Sequence, residues 1–189
     1  MSVLLYGAGG AVLLVAVLTV YYYNRFVTLE NRIDNSWSQI DVQLKKRADL
    51  VPNMVETVEG YVEHEKEVMD KVSESREKML NAQSPEEEAK AGNKMGEALK
   101  SLFAVAEDYP DLKASENFKE LQQELSSIEN KVAYSRQHYN DAILEYNNAI
   151  ETFPAVVFAN MFGHSEKEQL QIETADRELP EVDFSDGSE

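Results

Sequence analysis

Apolar residues recur through one long stretch at Leu29, Ile33, Trp37, Ile40, Leu44, Ala48, Val51, Val55, Val58 and Val62. Nine steps cover 33 residues, a mean period of about 3.67, so the stripe is one face of a helix and not a strand. Leu29, Ile40, Val51 and Val62 repeat every 11 residues, as do Ile33, Leu44 and Val55. That repeat keeps the stripe on one side of a nearly straight helix. The flanking positions, among them Asn31, Asp34, Gln39, Lys45 and Lys46, are polar. A helix this long with one apolar face needs partner helices to cover it. Pro52 falls inside the pattern, and a proline there removes a hydrogen bond and kinks or ends a helix. The stripe keeps phase from Ala48 and Val51 to Val55 and Val58. A kinked, continuous helix is therefore favoured over a new helix opening at Pro52, and it should fade near residues 79–81.

Two further helices follow. Ser84 precedes Pro85, Glu86, Glu87 and Glu88, a start signal in which serine caps, proline takes the first helical position and the acids face the positive end of the dipole. Met95, Ala98, Leu99, Leu102, Phe103 and Ala106 share one face of this second helix, which stops before the turn cluster at 108–111. Ser115 can cap the third helix. There Phe118, Leu125, Val132, Tyr139, Tyr146 and Phe153 recur every 7 residues, with Leu121, Ile128, Ser135, Ala142 and Ala149 in the alternate row. That is a seam of the coiled-coil or bundle type, closed by Phe153-Pro154. Residues 155–162 are apolar but too few to span a bilayer. Packing on the bundle end is favoured over dipping into the lipid interface.

Residues 3–23 carry no charge. At about 1.5 Å per residue they reach about 31 Å, the thickness of a bilayer core. No positive charge precedes the run and no small-residue cleavage site follows it, unlike a secretory signal. It ends in Tyr21, Tyr22 and Tyr23, an interfacial aromatic belt. Arg25 and Arg32 follow the run and no basic residue precedes it. The positive-inside rule then puts a short N-terminus outside and the bulk of the chain in the cytoplasm. Nothing breaks the helix between Tyr23 and Val27, so the membrane helix should continue into the bundle. The fold class is all-α: an N-terminal transmembrane helix running into an antiparallel, up-and-down bundle of long helices. The organisation is an anchor over residues 1–24, a bundle over 25–163, and an acidic, partly disordered tail over 164–189. Leu170 and Ile172 could tether the start of that tail, and the last residues, from about 185, should be disordered.

Composition narrows the chemistry. Cysteine is absent, so disulfides and thiolate metal sites do not arise. The formal charge of −17 argues against a nucleic-acid partner, which wants a basic face. A di-metal bundle needs Glu-x-x-His, but Tyr61, Ser135 and Met161 stand three before His64, His138 and His164. No His-Glu-x-x-His, phosphate loop or Gly-x-Ser-x-Gly occurs. The expectation is no enzyme and no cofactor. Gly7 and Ala11 form a small-xxx-small pair that could seat a second span, and small residues are common in such helices anyway. The polar residues that stand out are Arg47, Asp49 and Asn53 beside Pro52, with Asn140 and Asn147 on the third helix. They are expected either to fix register through buried interhelical hydrogen bonds or to dock a partner beside Pro52. Trp37 is read as a core or seam residue, with ligand stacking as the alternative.

The run from Asn31 through Ser36-Trp37-Ser38-Gln39-Ile40-Asp41 and Lys45-Lys46-Arg47-Ala48-Asp49-Leu50-Val51-Pro52-Asn53 resembles the signature of the LemA family. Glu56-Thr57-Val58-Glu59-Gly60-Tyr61, Glu129-Asn130-Lys131-Val132, Tyr139-Asn140, Tyr146-Asn147, Phe162-Gly163 and Pro180-Glu181-Val182-Asp183-Phe184 extend the likeness over nearly the whole chain. The stretch after Gly163 is more acidic and less aromatic than in that family. The resemblance implies a single-pass membrane protein with a cytoplasmic helical bundle and no established biochemical activity. It fits a scaffold or adaptor for an unidentified membrane protein, a membrane protease being one candidate. A self-assembling homo-oligomer that organises the membrane face is the alternative.

Overall fold

The computed structural model describes residues 2–62 and 64–170. Helix α1, Ser2–Glu59, is 58 residues long, with Pro52 inside it. At about 1.5 Å per residue it reaches about 87 Å. No glycine or proline interrupts residues 11–51, so the backbone ladder runs on from the uncharged segment into the amphipathic one. The helix then ends where the sequence pattern did not place its end. Gly60 begins a turn in which Tyr61 N donates to Val58 O at 2.9 Å, and a separate helix α2 spans Lys66–Leu80. A glycine costs about 1 kcal/mol in a helix interior. Glu56 and Glu59 also sit at the negative end of the dipole. The in-phase valines at 58 and 62 concealed this break, because both are buried on either side of the turn.

Helix α3, Pro85–Glu107, starts as its sequence prescribes: Ser84 Oγ accepts from Glu87 N at 3.2 Å, and Gln83 N donates back to Glu87 Oε2 at 3.0 Å. A short helix α4, Pro110–Ala114, fills the expected turn. Helix α5, Glu116–Glu151, follows, with Ser115 at its N-cap position but with no side-chain cap bond. The Phe153-Pro154 peptide is cis, and helix α6 spans Ala155–Phe162. Gly163 closes α6 at φ 77°, a left-handed conformation that glycine adopts without a Cβ clash.

Long-range contacts fix the directions. Arg76 of α2 meets Ala48, so α2 folds back along α1. Gly92 and Gly96 of α3 meet Leu44 and Arg47, so α3 runs parallel to α1. Glu129, Tyr139 and Glu145 of α5 meet Arg47, Trp37 and Arg32, so α5 runs antiparallel. This is an up-and-down bundle of α1, α2, α3 and α5.

Two cores result. One is shared by the four long helices and includes Ile40, Leu44, Met54, Met95, Leu102 and Leu125. The other joins α1, α5 and α6 around Phe26, Leu29, Ile143, Tyr146 and Phe158. The stripe on α1 and the seam on α5 are the faces buried, except that Phe153 is 80% exposed because α5 has already ended. Residues 155–162 pack on the bundle through Ala155, Phe158 and Ala159. The early part of α1 is uncovered, with Val12, Leu14 and Val20 all exposed. Among the described residues, one helix is apolar and long enough to cross a membrane. Most of the acidic tail, including the expected tether Ile172 and the end beyond residue 185, lies outside the described residues.

Candidate functional site

Arg47 points from α1 toward α3 and α5 and is 5% exposed. Gly96 makes room for it: a Cβ there would lie 3.2 Å from both Nη atoms. Arg47 Nη2 donates to Glu129 Oε2 at 2.5 Å. Burial lowers the pKa of the guanidinium, and the adjacent Glu129 carboxylate offsets part of that effect. Six residues earlier on α1, Asp41 lies against Glu88 of α3, with Lys45 beside it. Burial, then the hydrogen bond and charge of Asp41, raise the Glu88 carboxyl to about 7. Burial alone would raise Asp41, but hydrogen bonds with Lys45 and Glu88 hold it below its usual range.

Pro52 is exposed, and its effect lies one turn away. It has no N–H to donate to the carbonyl of Ala48, four residues earlier. Arg76 Nε of α2 takes that carbonyl at 2.8 Å. The acceptor freed by the proline therefore ties α2 to α1.

Among the described residues Asn140 and Asn147 form no hydrogen bond with Arg47, Asp49 or Asn53, while Arg47 bonds across to Glu129 of α5. The antiparallel pairing of α1 and α5 places 129 opposite 47 and 145 opposite 32. The two asparagines accordingly lie alongside the earlier part of α1, and the sequence alone could not supply that register. Each grips the tail backbone at two points instead. Asn147 Nδ2 donates to Lys167 O at 2.9 Å, and Lys167 N donates to Asn147 Oδ1 at 3.0 Å. Asn140 Nδ2 donates to Leu170 O at 3.0 Å, and Leu170 N donates to Asn140 Oδ1 at 2.9 Å. Seven helical residues and three extended ones both cover about 10 Å, so the spacings match. Asp49 and Asn53 are exposed, with no side-chain hydrogen bond among the described residues. Trp37 is half-buried, its ring 5.6 Å from that of Tyr139, edge to face, where the two cores meet.

A second polar cluster was not anticipated. Tyr146 Oη lies 3.1 Å from His164 Nδ1 and donates to Glu30 Oε1 at 3.5 Å, with Lys167 Nζ 3.8 Å from the same carboxylate. Burial, with the charge and hydrogen bond of Glu30, raises the Tyr146 hydroxyl to about 12. His164 was legible only as a residue past a helix end; its partners come from α1 and α5. Among the described residues no group of three acidic or imidazole side chains could hold a metal ion. The polar groups brought together here bond to one another and to backbone, which clamps segments in place.

A bundle whose first helix runs on into an uncovered apolar segment is the architecture of a helical protein built around one membrane-length helix. The profile of the LemA family matches residues 36–184, and the chain belongs to that family. Protein LemA of Metamycoplasma hominis is 28% identical over 165 residues, covering 81% of this chain and 74% of its own. Magnetosome protein MamQ of Magnetospirillum gryphiswaldense is 24% identical over 190 residues, covering 86% and 70%. Magnetosome protein MamQ 2 of Paramagnetospirillum magneticum is 25% identical over 179 residues, covering 81% and 66%. None of these names is that of an enzyme.

Proposed function

We propose that this chain is a non-enzymatic scaffold or adaptor, anchored by residues 3–23, that holds a membrane protein partner at the cytoplasmic face. The observation that carries the reading is the continuity of α1: its first part offers apolar side chains to the surroundings and its second part builds the bundle core. A single helix of that kind holds a folded module at a fixed distance from a bilayer. Arg25 and Arg32 just past the span favour the cytoplasmic side for the bundle. The exposed flank Asp49, Pro52 and Asn53 is the docking surface in this reading. Among the described residues its side chains make no hydrogen bond, whereas Arg47, Asn140 and Asn147 hold the fold together.

Self-assembly is the second reading. It is favoured by the small pair Gly7 and Ala11 on the span, where a Cβ added at Gly7 would meet nothing within 4 Å. A photocrosslinking residue at Asn53 in the full chain, in its own cells, separates the two. The adaptor reading expects one or two membrane proteins joined at position 53 and none at exposed Lys119. Crosslinks only to further copies of the chain would support self-assembly, and no adduct at position 53 would contradict docking there.

A further inference from the structure

Residues 153–163 contain no charged residue. Helix α6 buries Ala155, Phe158 and Ala159 and leaves Val157 and Met161 58% and 59% exposed, with Phe153 80% exposed just ahead of it. A step of four places Val157 and Met161 on one side of α6, away from the bundle, and Phe153 is exposed in the turn that precedes the helix. Soluble surfaces rarely gather large apolar side chains this way without a use.

The level at which the patch sits identifies its occupant. Phe158 stacks on Tyr22 with ring centroids 5.0 Å apart, Phe162 meets Tyr23 at 5.4 Å, and His164 meets Phe26 at 4.8 Å. From Phe158 to His164 the chain moves along α1 away from the apolar segment, so Val157, next to Phe158, lies at the level of Tyr22. Leu18 and Tyr22 of α1 pack against the same core as Ala155 and Phe158. A bilayer core of about 30 Å entered near residue 3 is left near Tyr22. The patch is therefore continuous with the end of the span and level with the tyrosine belt.

We propose that α6 is a second membrane contact, with Phe153, Val157 and Met161 seated in the headgroup–acyl boundary of the leaflet that α1 leaves. The contact is apolar and not a recognition of anionic lipid, since its charged neighbours include Glu151, Glu166 and Glu168. It would fix the tilt of the bundle over the membrane, because a single span alone leaves the module free to swing. The inference rests on residues 3–23 spanning the bilayer.

The absence of cysteine permits single-site spin labels in the full chain, reconstituted in phosphatidylcholine vesicles. Val157→Cys reports the patch, Val15→Cys the span and Ser127→Cys the aqueous face; all three positions are exposed, so the fold is undisturbed. The readout is collision with oxygen, which concentrates in lipid, against a water-soluble nickel chelate. The inference expects the oxygen-to-nickel ratio at 157 to exceed that at 127 several-fold and to lie below that at 15. A water-like label at 157 with a lipid-like label at 15 overturns the inference and leaves the anchor standing. A label at 157 reached by neither reagent means that a second copy covers the patch, and this also overturns it. A water-like label at 15 removes the anchor, and the inference with it.

Discussion

Arg47 and Glu129 are unequal partners in one ion pair, because the arginine side chain is 6% exposed and the glutamate side chain 45%. Removing the glutamate strands a buried cation, which costs about 3 kcal/mol or more. Replacing Arg47 by methionine keeps most of the volume and leaves a carboxylate that water can reach. Glu129→Ala should therefore lower the melting temperature clearly more than Arg47→Met; the reverse order would mean that the guanidinium is solvated. Glu88 offers a second test at this scale. Its carboxyl titrates near 7 in the folded chain, above the ordinary 4.5. A raised acid contributes stability that is complete below its unfolded pKa and is lost as pH rises through the folded value. Glu88→Gln cannot lose that proton, so its melting temperature relative to the parent should increase from pH 5 to pH 8. A constant difference would contradict the shift. Asp41, held below its usual value, acts at lower pH and leaves this window clear. Of these residues, Arg47, Asn140 and Asn147 stood out in the sequence as polar groups on helical faces. Their partners did not, because a partner 82 or 20 residues away depends on register and on a chain reversal that no local pattern encodes.

At the scale of elements, the stripe on α1 and the seam on α5 were legible because burial enforces their period over many turns. The break at Gly60 was not, because residues on both sides of the turn are apolar in the same phase. Pro52 lies between these cases. The unbroken stripe indicated a continuous helix, and α1 does run through it. The donor that replaces the missing N–H, Arg76, stands on a helix that the sequence pattern had joined to α1. A charge-assisted hydrogen bond of this kind contributes about 1.5–3 kcal/mol. Arg76→Ala should cost about that much in the parent chain. In a Pro52→Ala background the residue at 52 supplies its own N–H to Ala48, and Arg76→Ala should cost much less. Equal costs in both backgrounds, measured by denaturant unfolding of the four chains, would mean that the Arg76 bond is independent of the proline.

For the whole molecule, two cores stacked along α1 make one rod, with the four-helix part farther from the apolar segment and the α1–α5–α6 part next to it. The formal charge of −17 keeps its exposed faces solvated. The sequence showed the rod's composition but not its layering, because the second core needs α6 to turn back against α1 beside Tyr22. If one helix both crosses the bilayer and founds the bundle, both cores lie on the same side of the membrane. The most direct test is a protease added to intact spheroplasts and, separately, to opened vesicles, with an antibody against the bundle as readout. The account predicts a chain of near full length in intact spheroplasts and loss of everything beyond about Arg25 in opened vesicles. Digestion of the bundle in intact spheroplasts would contradict it.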